Sequence, residues 1–147
     1  MNIKGWVNYM AWALIMGVLT SCSIDDANDG YSFTYKLNPV VDVELPDTLQ
    51  YNEVYDFKIY FEKPSDCYSF SGFDYEKDGN ERRISVVSSV LTNENHCTTF
   101  EEPETEMRQL NFKVERHDYY IFKFWQGKDS LGDPQYLTRE VIVDDND

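Results

Sequence analysis

The chain has 147 residues, with 27 Asp or Glu against 13 Lys or Arg and a formal charge of −14. A surface this negative repels phosphate backbones and anionic lipid headgroups, which excludes nucleic acid as a partner. Aromatic residues make up 16% of the chain, a composition that favours strands.

At the amino terminus a single cation, Lys4, precedes an uncharged run from Trp6 to Leu19 rich in Val, Met, Ala, Leu and Ile. Spanning a bilayer needs roughly 20 apolar residues, whereas a run of about 10 to 14 has the length of a signal-peptide core. The run ends Leu19, Thr20, Ser21, Cys22. These four residues resemble the lipobox of bacterial lipoproteins, in which a large aliphatic residue and two small ones precede a cysteine that is acylated and then exposed by signal peptidase II. The resemblance implies that residues 1–21 are removed and that Cys22 becomes the lipid-bearing first residue. Two or three acyl chains would then hold the protein to a membrane, each buried methylene contributing ~0.8 kcal/mol, with no transmembrane helix. Removing residues 1–21 takes away Lys4 and no acid, so the charge moves from −14 to −15.

Residues 22–30 follow as a polar, acidic stretch (Asp25, Asp26, Asp29) that reads as a flexible tether. Acids just behind the cysteine also resemble the export signal of Bacteroidetes-type lipoproteins. That implies an outer-membrane location facing the cell surface, the alternative being the periplasmic side.

From Tyr31 onward the dominant signal is alternation of period two. Tyr31, Phe33, Tyr35 and Leu37 share one face, opposite Ser32, Thr34 and Lys36. Val41, Val43 and Leu45 share the next, until Pro46. Tyr55, Phe57, Ile59 and Phe61 alternate with polar residues up to Pro64. Cys67 to Tyr75 is broken at Ser71 and Gly72, where a bulge fits. Lys77, Asp78, Gly79 and Asn80 form a hairpin turn leading to a strand over Arg83 to Leu91. Cys97 to Glu106 reads as an acidic connection containing Pro103. Leu110 to Val114, Tyr119 to Gln126 and Tyr136 to Val143 complete the strands, the last two separated by a turn-rich loop from Gly127 to Pro134.

These strands, with no amphipathic helix, predict an all-β, antiparallel sandwich of about seven to eight strands over residues 31–147. Their number and spacing resemble an immunoglobulin-like or fibronectin type III-like module, and Asp118, Tyr119 and Tyr120 resemble a tyrosine corner. A small lipocalin-like barrel is the alternative fold. With Cys22 acylated, Cys67 and Cys97 are the two thiols left, and outside the inner membrane such a pair forms a disulfide. The pairing departs from the antibody pattern, since no buried tryptophan follows the first cysteine.

The chemistry-bearing residues are sparse. His96 and His117 are the only histidines, and neither sits in a nucleophile, zinc or phosphate-loop motif, so no catalytic residue and no cofactor is assigned. Asp74, Glu76, Asp78 and Gly79 follow the first half of a calcium loop, but its twelfth position is Ser85, and a hairpin explains the sequence without metal. Glu101, Glu102, Glu104 and Glu106 read as a solvated loop.

The aromatic strand is more informative. Tyr120, Phe122 and Phe124 lie on one face, with Tyr119, Ile121, Lys123 and Trp125 on the other. Only one face of a two-sheet sandwich meets the core, and exposed aromatic planes suit carbohydrate or protein contact. Tyr119, Lys123 and Trp125 are therefore the expected ligand-binding residues, together with the loop from Gly127 to Pro134. The expected function is a lipid-anchored, non-enzymatic module that binds glycan or protein. The alternatives are a hydrolase built on paired carboxylates and a structural subunit of an envelope assembly.

Overall fold

The computed structural model describes residues 32–92 and 97–144. Cys22, the leader, the tether and His96 lie outside the described residues. Every regular element described is a strand: β1 (Phe33–Asn38), β2 (Val40–Glu44), β3 (Thr48–Gln50), β4 (Val54–Ser65), β5 (Tyr68–Asp78), β6 (Glu81–Leu91), β7 (Thr99–Lys113), β8 (Tyr119–Lys128) and β9 (Pro134–Asp144). They form two sheets, one of three strands in the order β2-β4-β7 and one of six. In the larger sheet β5 lies along one edge of β6. The other edge of β6 is shared, β8 pairing Glu81–Ile84 and β1 pairing Val86–Leu91. Beyond β8 the sheet continues through β9 to β3.

The alternation read from sequence drives the packing. Phe57, Ile59 and Phe61 of β4, Ile84 and Val86 of β6, and Tyr120, Phe122 and Phe124 of β8 are all fully buried. The sheets meet face to face through aromatic edges: Phe122 lies 5.1 Å from Phe57 and 5.0 Å from Phe112, nearly perpendicular to both. Burying each such ring stabilises the fold by about 1.5–3 kcal/mol, and the edge-to-face geometry adds about 0.5–1.5 kcal/mol per pair.

Tyr120 is tied back to the chain just upstream of β8. The Glu115 backbone N–H donates to the hydroxyl of Tyr120, five residues on, at 2.8 Å. The Arg82 guanidinium lies 4.9 Å from the centre of the same ring and donates to the carbonyls of Gly79 and Glu81. The core thus holds a charged group by stacking and hydrogen bonding together.

Several expectations need correction. The segment Cys97 to Glu106 is no loop: from Thr99 it belongs to β7, a fifteen-residue edge strand. Its acids are accommodated because Glu104 and Glu106 pair with Lys63 of β4 at 3.4 and 3.0 Å, and Arg108 also pairs Glu106. The hydrogen bond that Lys63 donates to Glu106 raises the Lys63 pKa, keeping that cation charged. Pro103 is tolerated where the β4–β7 register skips between Lys63 and Ser65, on a strand with no second partner among the described residues. The three-residue β3 is a further strand, too short to show a period, though its Leu49 is fully buried.

The pairing is mostly antiparallel, with two parallel contacts, β3 with β9 and β6 with β8. The second is possible because β7 crosses in the opposite sheet between them, the kind of long connection parallel neighbours require. It also marks a departure from the immunoglobulin sandwich, whose two sheets are antiparallel.

Candidate functional site

Each strand of the larger sheet turns alternate residues away from the core. With Tyr120, Phe122 and Phe124 facing in, Tyr119, Ile121, Lys123 and Trp125 face out, on the side expected from sequence. Their cross-strand neighbours on β9 are Ile142, Glu140, Thr138 and Tyr136 respectively. Trp125 and Tyr136 are therefore adjacent on the outer surface, each partly exposed. Directly opposite residues of an antiparallel pair have Cβ atoms about 4.5–5.5 Å apart, within reach of one another's side chains.

The structure does not gather all three expected residues into one spot. Tyr119 is 40% exposed and pairs with Ile142, 63% exposed, at the far end of β8. Six residues of extended chain separate it from Trp125, roughly 20 Å at strand rise. Lys123 lies between them, bound to Glu81 at 2.6 Å. Glu81 also accepts from Arg83, and Arg83 in turn reaches Glu76 at 2.7 Å. The Lys123 ammonium holds the Glu81 carboxyl below its ordinary pKa, with Arg83 adding to the effect. This outward ion ladder is open to water, so a ligand displacing one of its bonds loses little, about 0–1 kcal/mol per pair.

Sequence reading missed the rest of the face. The β6 register sets Phe124 level with Ile84 and Leu37 level with Val87, so the outward side chains of β1 follow those of β8 along the same edge of β6. Leu37, Tyr35 and Phe33 are 42%, 71% and 61% exposed. Alternation alone identified their common face but could not say which way it points.

The loop after β8 is held by one residue. Asp129 accepts the backbone N–H groups of Leu131 and Asp133, both at 2.9 Å, and the side chain of Gln135 at 3.2 Å. Gly132 adopts φ +91°, a backbone angle that favours glycine. The turn places Leu131, 87% exposed, at its tip, beside the Trp125–Tyr136 end of the face.

The remaining chemistry-bearing residues are engaged elsewhere. His117 stacks on Tyr51 with ring centres 3.7 Å apart. Asp118 is gripped by Arg116 at 2.7 Å, which holds its carboxyl well below the usual range. Glu76 and Asp78 bind Arg83, and Gly79 takes φ +54° in the hairpin. Asp66 lies beside Cys67 and Cys97, whose sulfurs are joined in the expected disulfide with Cα atoms 5.4 Å apart. That bond occupies the two thiols that could otherwise serve a metal.

Cavities open at the ends and sides of the sandwich. One of about 190 Å³ lies between β5 and β7, lined by Tyr75, Leu110, Phe112 and Glu115 among others. Another of about 500 Å³ lies below β1 beside the disulfide, lined by Thr34, Lys36 and Tyr68. A third of about 260 Å³ is walled by Pro39, Pro64 and Pro103, with Glu62 its carboxylate.

A scan against protein-family profiles matches no family, and no curated protein or solved structure is significantly similar to the chain.

Proposed function

We propose that this protein is a lipid-anchored envelope lipoprotein whose sandwich is a non-enzymatic binding module, its ligand lying on the outer face of the six-stranded sheet. The lipobox-like sequence ending at Cys22 supports the anchor. The observation that carries the binding reading is the outward cross-strand pair of Trp125 and Tyr136, with Leu37, Tyr35 and Phe33 on the same side of the sheet and the Lys123–Glu81–Arg83 ladder beside it. Aromatic faces beside hydrogen-bonding groups suit the alternating apolar and hydroxyl faces of a sugar ring, so a glycan is the ligand class favoured over protein.

The hydrolase alternative calls for two carboxylates facing one cavity. The cavities described above carry Glu115, no acid, and Glu62 respectively.

The test is binding of the full chain, in mild detergent, to an array of bacterial and host polysaccharides, with Trp125→Ala alongside. The reading predicts retention on a subset of glycans that Trp125→Ala weakens at least tenfold, corresponding to about 1.4 kcal/mol. Retention unaffected by Trp125→Ala would move the site elsewhere. Binding to no glycan would remove the carbohydrate reading.

A further inference from the structure

β1 is patterned the reverse of its neighbours. Its partners across the ladder are Asn38↔Val86, Lys36↔Ser88 and Thr34↔Val90, and those three β6 residues are buried. The polar residues of β1 therefore face the inner layer. Phe33, Tyr35 and Leu37 face out. An exposed sheet surface normally carries polar residues, and an inverted strand is a departure from that rule in need of a cause.

The backbone shows which edge is open. Thr92 N–H donates to the Ser32 carbonyl at 2.8 Å, while Leu91 N–H turns the other way, to the Cys67 carbonyl at 3.3 Å. Donors alternate along an antiparallel ladder, so Thr34, Lys36 and Asn38 bond to β6. The N–H and C=O groups of Phe33, Tyr35 and Leu37 then point to the opposite edge, along which no described strand runs.

Other long edges are guarded. β7 carries Pro103, a register break and four glutamates, β5 has a register break at Phe70/Gly72 with Asp74, Glu76, Lys77 and Asp78 after it, and the stretch of β9 that β3 leaves unpaired carries Pro134, Arg139 and Glu140. Such features block strand addition. β1 has an unbroken register, no proline and no acid, and neither does the stretch of β6 it pairs with, Val86–Leu91. In a chain of charge −14, this strip holds no acid and a single cation, Lys36, so it is where like molecules can meet with least repulsion, since charges farther than about 8 Å are screened at physiological salt.

We propose that the edge of β1 docks against β1 of a second copy, antiparallel, about a twofold axis at Tyr35. Only residues whose backbone groups face the edge can form hydrogen-bonded pairs, which restricts the register to odd against odd. Centring on Tyr35 sets Phe33 opposite the second copy's Leu37, so all three edge-facing residues are used and an aromatic packs on an aliphatic side chain. Lys36 then stands opposite Thr34. Centring on Lys36 would set the two lysines against each other, and centring on Thr34 would leave Leu37 without a partner. The twofold joins the two large sheets into one, which extends the outer face across both molecules. This inference does not depend on the nature of the anchor or the ligand.

The test combines crosslinking with sedimentation, using the full chain in mild detergent. Hydrogen-bonded partners lie about 5.5 Å apart at Cα, within disulfide range. Tyr35→Cys should form a dimer band on a non-reducing gel under mild oxidation. Phe33→Cys should not, because its counterpart lies four residues along, roughly 14 Å away. Unsubstituted protein on the same gel reads any link through Cys22. In sedimentation the unsubstituted chain should dimerise with rising concentration. Tyr35→Pro should remain monomeric with an unchanged melting temperature, because position 35 donates to the open edge and not to β6. A monomer at all concentrations, a dimeric Tyr35→Pro, or equal crosslinking at positions 33 and 35 would each overturn the proposal. Should Tyr35→Pro fail to fold, the crosslinking contrast decides.

Discussion

Tyr120→Phe isolates a single oxygen atom in the centre of the fold. The Tyr120 ring is fully buried, packed 4.9 Å from Phe112 and covered by the Arg82 guanidinium. Phenylalanine keeps all of that packing. What disappears is the acceptor for the Glu115 N–H at 2.8 Å, the bond that fixes the chain as it leaves β7 for β8. A typical hydrogen bond contributes about 0.5–1.5 kcal/mol, and a donor left partly buried and unpaired costs about 1–3 kcal/mol. The Glu115 backbone lies near the surface and can recover part of this from water, so a loss of about 1.5 kcal/mol is expected. For a domain of about 110 residues that lowers the melting temperature by roughly 6–9 °C. Tyr120→Ala should lose about 3–5 kcal/mol, since the cavity and the stranded guanidinium add to it. Thermal unfolding followed by circular dichroism or calorimetry separates the two. If Tyr120→Phe melted within about 2 °C of the unsubstituted protein, the Glu115–Tyr120 hydrogen bond would not be a stabilising one.

Two further perturbations follow from the same geometry. The Cys67–Cys97 bond closes a loop with a sequence separation of 30, which on the chain-entropy relation stabilises the fold by about 3.6 kcal/mol. The double alanine variant should lose about that much in urea unfolding, and a loss under about 1 kcal/mol would mean the bridge adds little. Asp118, held far below its unfolded pKa of 3.8 by Arg116 and the Tyr119 N–H, contributes stability that is fully present above that value and lost as the pH falls below it. Asp118→Asn should therefore melt below the unsubstituted protein at neutral pH and converge with it under strong acid. Parallel melting curves across the acid range would contradict the assignment.

How much could be read from the sequence depended on how each side chain is buried. β4 and β8 were legible because a two-residue period with Phe57, Ile59 and Phe61, or Tyr120, Phe122 and Phe124, has one solution in a two-layer fold. The disulfide was legible from thiol count and the compartment expected from the lipobox resemblance. β7 was obscured by its glutamates, since nothing local reveals that Lys63, distant in sequence, neutralises Glu104 and Glu106. β1 was half legible. Its alternation gives two faces, but the partner strand decides which is inside, and here that partner turns the apolar one out. The Trp125–Tyr136 pair shows the same limit: each residue stands out in the chain, while their adjacency comes from the β8–β9 register. Parallel pairing of β6 with β8 depends on a crossover through the other sheet, and no local pattern encodes it.

In the proposed function the sandwich is held at a membrane by acyl chains on the sulfur of Cys22. Growth of expressing cells with an alkynyl fatty acid, followed by click labelling and membrane sedimentation, tests this directly. The account predicts a labelled, sedimenting protein whose mature chain begins at Cys22, and an unlabelled, unprocessed Cys22→Ser variant. A Cys22→Ser protein that still took up label, or was shortened at the same position, would contradict it.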